Sequence, residues 1–195
     1  MSHLAPPWQA VLDFWFLPAT DPEYAKSRAE WFRKSDAFDA LIRSQFGALI
    51  ERALRGELRD WDTEPPGALA QIIVLDQFTR NTFRDTPRAF AGDPQAQQAA
   101  LAMLEDRRDL ELIPAQRWFV YMPLEHAEDI ALQERCVAFF SELEREAHFE
   151  NIAAYAVRHR DIIARFGRFP HRNRILGRES TPDEIEFLKQ PGSSF

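Results

Sequence analysis

SDAFDALIRSQFGALIERALRG, residues 35–56, is the clearest indication of the fold class of this chain. Its apolar residues recur at spacings of three or four from Phe38 to Leu54, which places them on one face of an α-helix. Ser35 is a favourable N-cap at the start of this pattern, and the pattern ends at Gly56. The stretch therefore predicts a long amphipathic helix.

The same helical spacing of apolar residues continues through the rest of the chain. Further stripes run from Trp8 to Trp15, Leu69 to Ile73, Ala96 to Leu104, Leu132 to Leu143 and Ile152 to Phe166. Several starts are marked by a proline after an N-cap residue, and Thr181-Pro182 opens a capping box and a last short helix. The pattern also predicts a helix from about Pro22 to Phe32, and a short helix from Pro114 that Pro123 should end.

The predicted elements are all helical. No run alternates in hydropathy with a period of two for long enough to predict a strand. About nine helices joined by short loops should pack as antiparallel hairpins, because consecutive helices with short connections are usually neighbours. The sequence therefore predicts a single all-α domain over residues 1–195, built as an array of helical hairpins with no sheet.

Composition excludes several classes of protein. The formal charge is −7, from 24 basic and 31 acidic residues, which argues against non-specific nucleic-acid binding. One cysteine permits no internal disulfide and no Cys-based zinc site. The apolar runs are too short for a membrane span, and the first residues lack the regions of a signal peptide. We therefore expect a cytoplasmic protein with no membrane partner; its oligomeric state is not predicted.

Two charged residues fall on the apolar stripe that contains Leu69 and Ile72. Asp76 lies four residues after Ile72, and Arg80 lies four residues after Asp76. This spacing lets the two side chains pair along the helix, and an unpaired charge on this inward face would cost several kcal/mol. We expect a mostly buried ion pair, with Asn81 beside it.

A histidine repeats this pattern on a later stripe. His159 lies seven residues after Ile152 and four before Ile163, so it faces the core. It is either a core histidine hydrogen-bonded to a neighbour or a titrating group in a cleft.

Acidic residues are concentrated at 125–129, directly after Pro123. Glu125, His126 and Glu128 are acceptable metal ligands, but no strong metal signature is present, and we predict no metal site. The acids are also explained by the preference of a helix N-terminus for negative charge, or by pairing with arginines elsewhere.

The arginines available for such pairing are concentrated at residues 165–178. This stretch, RFGRFPHRNRILGR, holds five arginines and a histidine but no acid. Apolar residues such as Phe169 interleave with the charges, so the stretch should lie on the body of the protein. The guanidinium groups suit two-pronged contacts with carboxylate or phosphate. We expect this stretch, the acids of 125–129 and the Asp76–Arg80 pair to converge in space.

Several of these stretches resemble the bacterial family called domain of unknown function 924. The resemblance rests on VLDFWF (11–16), LDQFTRN (75–81), YMPLEHAED (121–129), RFGRFPHRN (165–173) and PGSSF (191–195), and it covers nearly the whole chain. Thr79, Phe83 and Ala127 depart from the family pattern, where proline, tyrosine and serine are usual. The resemblance implies an all-helical, tetratricopeptide-like fold, and it implies no activity and no catalytic residues.

Three functions are compatible with these residues. The first is binding of an anionic small molecule or an acidic peptide end in a polar groove. The candidate ligand-binding residues are Asp76, Arg80, Asn81, Glu125, His126, Glu128, His159, Arg165, Arg168, His171, Arg172 and Asn173. The second is a hydrolase-type enzyme that uses Glu125, His126, Glu128 or His159 as acid or base, with or without a metal. The third is a purely structural role for the polar residues.

The C-terminal tail carries one further expectation. It ends in Phe195, whose ring needs an apolar surface and whose carboxylate can reach a basic side chain. We predict that Phe195 docks on the body of the protein.

Overall fold

Helices form the regular structure of this protein, as the sequence predicts. The computed structural model describes residues 5–194, and no strand occurs in that part of the chain. The α-helical segments are α1 (Gln9–Phe16), α2 (Asp36–Leu54), α3 (Pro65–Ile72), α4 (Thr79–Thr82), α5 (Asp93–Glu105), α6 (Pro114–Glu125), α7 (Ile130–Ala147), α8 (Ile152–Phe166), α9 (Asn173–Leu176) and α10 (Pro182–Phe187). A π-helical segment, Ile73–Phe78, joins α3 to α4, so residues 65–82 form one continuous helix and the described residues contain nine helices.

Several helix ends are fixed by the residues that the sequence indicates. The Ser35 side chain accepts a hydrogen bond of 3.3 Å from the Phe38 amide at the start of α2. Gly167 ends α8 with φ of 68°, a conformation that favours glycine. Thr181 and Glu184 form the complete capping box of α10. These local signals need no tertiary contact, which is why they are readable from the sequence.

The chain divides into two compact units. The first contains residues up to 84 together with 88–123, and the second contains 85–87 together with the residues from 124 onward. The single domain over 1–195 and the tetratricopeptide-like arrangement stay predictions.

Aromatic rings form the core of the first unit. Trp15 is fully buried, and its ring lies edge-on to Phe119 at 5.4 Å and to Phe78 at 5.6 Å, and is stacked with Trp31 at 6.3 Å. Such offset and edge-on arrangements are the favourable ones for aromatic pairs. The many phenylalanines and tryptophans of the sequence therefore fill the space between helices.

The second unit is organised around α7 and α8. These helices pack against each other across a short connection and so form an antiparallel hairpin. Cys136 and Phe140 of α7 are buried, as are Ile162 of α8 and Phe169 beyond it. Burial raises the pKa of the Cys136 thiol, which keeps it protonated at neutral pH.

The predicted helix from Pro22 to Phe32 is wrong. This region contains turns and one short 3-10 helix, Ala29–Trp31. Arg28 has an extended backbone, and its guanidinium donates hydrogen bonds to the carbonyl oxygens of Phe14 and Trp15 at 2.8 and 2.9 Å. The last carbonyl groups of α1 have no partner within the helix, and Arg28 donates hydrogen bonds to two of them. This tertiary contact outweighs the helical preference of the segment.

The predicted end of a helix at Pro123 is also wrong. Pro123 lies inside α6, which continues to Glu125. A proline so close to the end of a helix removes few backbone hydrogen bonds, so the last turn tolerates it.

No feature of the sequence predicts the π-helical segment. Gly92 lies against this segment: a Cβ atom on Gly92 would be 2.1 Å from the carbonyl oxygen of Leu75. The hydroxyl of Thr79 donates to that same oxygen at 2.7 Å. Side chain and backbone thus both contact the widened turn, and widened turns of this kind are frequent at functional sites.

Within residues 5–194, no helix has both the length and the apolar character needed to cross a bilayer.

Candidate functional site

The charged pair predicted on the first polar helix is present and mostly buried. Arg80 Nη1 lies 3.0 Å from Asp76 Oδ1, and Asp76 is only 1% exposed. Asp93 adds a second carboxylate, which receives both prongs of the Arg80 guanidinium at 2.8 and 3.0 Å. Gln77 donates to the other Asp76 oxygen at 2.6 Å. We call Asp76, Gln77, Arg80 and Asp93 the Arg80 network.

Two opposing effects act on the Arg80 guanidinium. Burial lowers the pKa of Arg80, but the charges of Asp76 and Asp93 outweigh burial and hold the pKa above its ordinary value. The network is therefore a paired charge cluster in the first unit.

Asn81 belongs to a neighbouring group of polar residues in the first unit. Its amide donates to Asp39 at 2.7 Å, and the same carboxylate accepts two hydrogen bonds from Arg84 at 2.9 and 3.0 Å. Asp39 is 6% exposed. Sequence reasoning missed Asp39, although it lies three residues before Ile42 and seven before Phe46, on the apolar face of α2.

In the second unit, an acid of 125–129 pairs with an arginine of 165–178, as expected. Glu128 accepts from Arg178 at 2.6 and 2.9 Å and from the Phe169 amide at 2.8 Å. Burial raises the pKa of Glu128, but these hydrogen bonds outweigh burial and hold the pKa below its ordinary range. The pair fixes the backbone just after α8.

Arg168 has a different partner from the one expected. It binds both oxygens of Glu184, at 2.7 and 2.8 Å, and Asn173 adds a hydrogen bond of 3.2 Å to Glu184. The hydrogen bonds from Arg168 hold the pKa of Glu184 near 2, despite its burial. From the sequence, Glu184 is visible only as the residue that closes a capping box, three residues after Thr181, so this second role was missed.

An open depression of about 410 Å³ lies beside this pair. It is lined by Arg165, Phe166, Arg168, Thr181, Asp183 and Glu184. The guanidinium of Arg165 lies over the rings of Phe166 and Phe187, at 4.5 and 5.8 Å from their centroids. Two acids thus face two arginines, and the lining carries little net charge.

The remaining candidates form what we call the histidine cluster: Glu125, His126, His159, His171 and Arg172. They come from the end of α6, the turn after it, α8, and the short 3-10 helix Pro170–Arg172. Three of them contact the Phe169 ring: His159 at 5.7 Å, His171 at 5.6 Å and the Arg172 guanidinium at 4.5 Å. Glu125, His159 and Arg172 are buried, whereas His126 and His171 are half-buried and give the cluster its exposed side.

The tautomer of His159 follows from its neighbours. Nδ1 lies 2.9 Å from the carbonyl oxygen of Tyr155 and 3.4 Å from Oε1 of Glu125. A carbonyl oxygen can only accept, so Nδ1 carries the hydrogen, and Nε2 holds the lone pair.

The imidazole groups of His159 and His171 are both held in the neutral form. Burial is the main cause that lowers the pKa of His159, to about 3. The hydrogen bond to the Tyr155 carbonyl raises the pKa, and the charges of His126, His171 and Arg172 lower it. Burial also lowers the pKa of His171 to about 4, with Arg172 adding to the effect and Glu128 opposing it. Perturbed groups gathered in this way are typical of functional sites.

These pKa values predict that stability falls in acid. The pKa of His159 is about 3 in the folded chain and 6.5 ordinarily, so between these values the unfolded chain binds a proton that the folded chain does not. Stability is therefore retained above pH 6.5 and lost as the pH falls, by up to about 1.4 kcal/mol per pH unit for one such group. Urea unfolding at pH 7.5, 6 and 5 should show a shallower loss for His159→Gln than for the parent.

A matched control separates this effect from the loss of any histidine. His148 is exposed, and His148→Asn should keep the parental slope. Equal slopes for His159→Gln and the parent would contradict the assignment.

Gln133 binds the turn that follows α6, next to the histidine cluster, and the sequence analysis did not identify this residue. Gln133 of α7 is fully buried, and its amide donates to the carbonyl oxygens of Glu125 and Ala127 at 2.7 and 2.8 Å. It thereby fixes the backbone on both sides of His126. Gln133 lies three residues before Cys136 and seven before Phe140, on the buried face of α7, so a polar residue on an apolar stripe was the signal that could have found it.

The candidate residues therefore separate into distinct groups. Asp76, Arg80 and Asn81 lie in the first unit, and all the others lie in the second. Convergence of the first group with the others stays a prediction, and Phe195 lies outside the described residues. Within residues 5–194, no three His, Cys, Asp or Glu side chains are arranged to hold a metal ion.

Comparisons with known proteins agree with the fold and give no activity. Residues 11–192 match the model of a family described as bacterial protein of unknown function, DUF924. The solved structure of the protein of unknown function ATU0120 from Agrobacterium tumefaciens is 37% identical, with a TM-score of 0.80 over 93% of this chain and 96% of that chain. No curated protein matches the chain significantly.

Proposed function

The chain belongs to the bacterial family of unknown function DUF924, and we propose that it binds a small anion with a carboxylate or phosphate group at the histidine cluster. One observation carries the proposal: Arg172 and His171 of one short helix and His159 of α8 all contact the Phe169 ring, and the charge of His126 also acts on His159. Arginine binds such anions through two parallel hydrogen bonds, and imidazole groups can donate further ones.

Two of the other candidate arginines already have carboxylate partners. Arg80 is engaged by Asp76 and Asp93, and Arg168 by Glu184. An anion at either place would have to displace a carboxylate already bound in two-pronged geometry. We therefore assign Arg80, Arg168, Asn81 and Asn173 structural roles, in line with the third interpretation of the sequence.

Access also favours the histidine cluster. His171 and His126 are half-buried, so a small ligand can reach the cluster from their side. The buried Arg172 and the Phe169 ring then provide a surface with little water, in which a charge-assisted hydrogen bond is stronger than in solvent. An acidic peptide end offers the same carboxylate chemistry as a free metabolite.

The experiment is a thermal-shift series with sulfate, phosphate and citrate against chloride at matched ionic strength. A specific anion at a hundredfold excess over its Kd should stabilise the protein by about 2.7 kcal/mol. Arg172→Met should abolish the shift, and Arg172→Lys should weaken it, because lysine keeps the charge but loses the two-pronged geometry.

Arg174→Met is the control, since Arg174 is exposed on the same segment. The proposal is wrong if none of the three anions raises Tm above chloride, or if Arg174→Met removes the shift as completely as Arg172→Met.

A second candidate function, acid–base catalysis, is favoured by the geometry of His159. With its Nδ1 proton directed to Tyr155 and Glu125, His159 has its lone pair on Nε2, the nitrogen that would act as the base. Glu128 is less suited, because it is engaged by Arg178 and the Phe169 amide. Hydrolysis of p-nitrophenyl acetate and p-nitrophenyl phosphate tests this candidate: activity that survives in His159→Gln would exclude His159 as the base.

A further inference from the structure

We infer that the anion bound at the histidine cluster is a doubly charged oxyanion, of the sulfate or phosphate-ester type, and that His171 takes up a proton when it binds. This inference rests on the proposed function and adds the charge of the ligand and a proton linkage to it.

The first argument is the placement of His171 beside Arg172. The two residues are consecutive on the 3-10 helix Pro170–Arg172, and both side chains lie on the Phe169 ring, at 5.6 and 4.5 Å. A guanidinium and an imidazolium so placed would present two positive charges from one short, rigid segment. Two charges of this kind match an oxyanion of charge −2 better than a single carboxylate.

The second argument is charge balance in the cluster. The charged and titratable groups that face it from the packed elements are Glu125 of α6, His126 of the turn after it, Arg172 of the 3-10 helix, and the Glu128–Arg178 pair. One carboxylate matches one guanidinium in each case, and His159 and His171 are neutral. A bound anion therefore adds negative charge to a partly buried region that is already balanced. The added charge has a cost in free energy, and protonation of a histidine when the anion binds lowers that cost.

The third argument selects His171 over His159 as the proton acceptor. His159 is buried and directs Nδ1 to the Tyr155 carbonyl, whereas His171 is half-buried. Burial is the main cause that lowers the pKa of His171, and the charges of Arg172, His126 and Arg178 also lower it. The charge of Glu128 raises the pKa. An anion beside Arg172 cancels one of these lowering effects directly and adds a negative charge that favours the imidazolium.

Titration calorimetry with sulfate tests the inference, because sulfate keeps both charges across the working pH range and cannot itself supply the proton change. Titrations in buffers of different ionisation enthalpy give the number of protons taken up. We expect uptake of about one proton at pH 6.5, and a Kd that falls about tenfold for each pH unit between 7.5 and 6.

Two variants locate the proton. His171→Asn should still bind sulfate through Arg172, more weakly than the parent, with a Kd that no longer depends on pH and with no proton uptake. His148→Asn, at an exposed position, should behave as the parent.

The outcomes separate this inference from the function on which it rests. Sulfate binding by the parent without proton uptake would overturn the inference and leave the proposed function intact. Full proton uptake by His171→Asn would also overturn it, by assigning the proton to another group. No sulfate binding at any pH between 5 and 8 would remove the proposed oxyanion site itself.

Discussion

Arg80→Met is expected to lower the free energy of unfolding by about 3–5 kcal/mol, because removal of one partner from a buried ion pair leaves the other uncompensated. Here two carboxylates are left, those of Asp76 and Asp93, with side chains only 1% and 11% exposed. Methionine keeps much of the apolar stem of arginine, so the lost charge dominates the effect. Urea unfolding at pH 7 gives the measurement.

The pH dependence of this loss identifies its cause. Without the guanidinium, two buried negative charges face each other with no compensating cation, and this electrostatic cost is smaller in acid, where carboxylates are neutralised. The difference between Arg80→Met and the parent should therefore shrink from pH 7 to pH 4. A difference that stays constant over this range would point to lost packing instead.

Arg88→Met is the matched control, since it breaks an ion pair of similar length at the surface. Arg88 lies 2.6 Å from Glu51, and both side chains are about half exposed. Exposed pairs contribute about 0–1 kcal/mol, so this variant should stay close to the parent. A loss as large as that of Arg80→Met would remove burial as the explanation.

The Arg80 network also shows which contacts are readable from the sequence. Asp76 and Arg80 are four residues apart on an apolar stripe, so their pairing and burial follow from helix geometry, and both are confirmed. Asp93 lies thirteen residues from Arg80 and precedes a proline, so it looks like an ordinary helix start. Its role depends on how α5 packs, which no local pattern encodes.

Charge balance between distant stretches was predictable in kind but not in detail. The acids of 125–129 and the arginines of 165–178 do meet, through Glu128 and Arg178. Arg168 instead binds Glu184, because the chain turns at Gly167 and brings α10 back to α8. Composition therefore indicates that charges must pair, and only the path of the backbone decides which ones do.

The histidine cluster is the part of the candidate site that the sequence resolved least. His159 was expected on the inward face of α8, and its burial bears this out. Its relation to His171 and Arg172 depends on Phe169, whose ring all three contact. A phenylalanine within an arginine-rich stretch predicts contact with the body of the protein, but not which polar groups share that contact.

The π-helical segment has no signal in hydrophobic spacing, because all six of its residues are buried, including the polar Asp76 and Gln77, and no exposed face shows where the extra residue lies. Residues 73–75 and Phe78 are all buried with no exposure. The packing partner that accompanies the widened turn is Gly92, whose Cα approaches the Leu75 carbonyl more closely than a side chain would allow. This contact gives the second large effect.

Gly92→Ala is expected to lower the free energy of unfolding by about 3 kcal/mol, at the upper end of the usual cost of overpacking. The backbone of Gly92 has φ of −87° and ψ of −11°, which alanine adopts without strain, so the cost is steric. A Cβ atom 2.1 Å from the Leu75 carbonyl oxygen forces either the π-helical segment or the start of α5 to move. Gly47→Ala is the control: it lies inside α2 with nothing within 4 Å, and should stabilise the protein by about 0.5–1 kcal/mol.

The same substitution should weaken the Arg80 network, because Asp93 follows Gly92 directly. If α5 moves away from the π-helical segment, the two-pronged contact between Asp93 and Arg80 lengthens. Gly92→Ala should then cost less in the Arg80→Met background than in the parent, by at least about 0.5 kcal/mol, since part of its effect is already lost. If the two losses of stability are additive in this double-mutant cycle, the close approach at Gly92 does not position Asp93. If the Gly92→Ala variant is as stable as the parent, the steric argument itself is wrong.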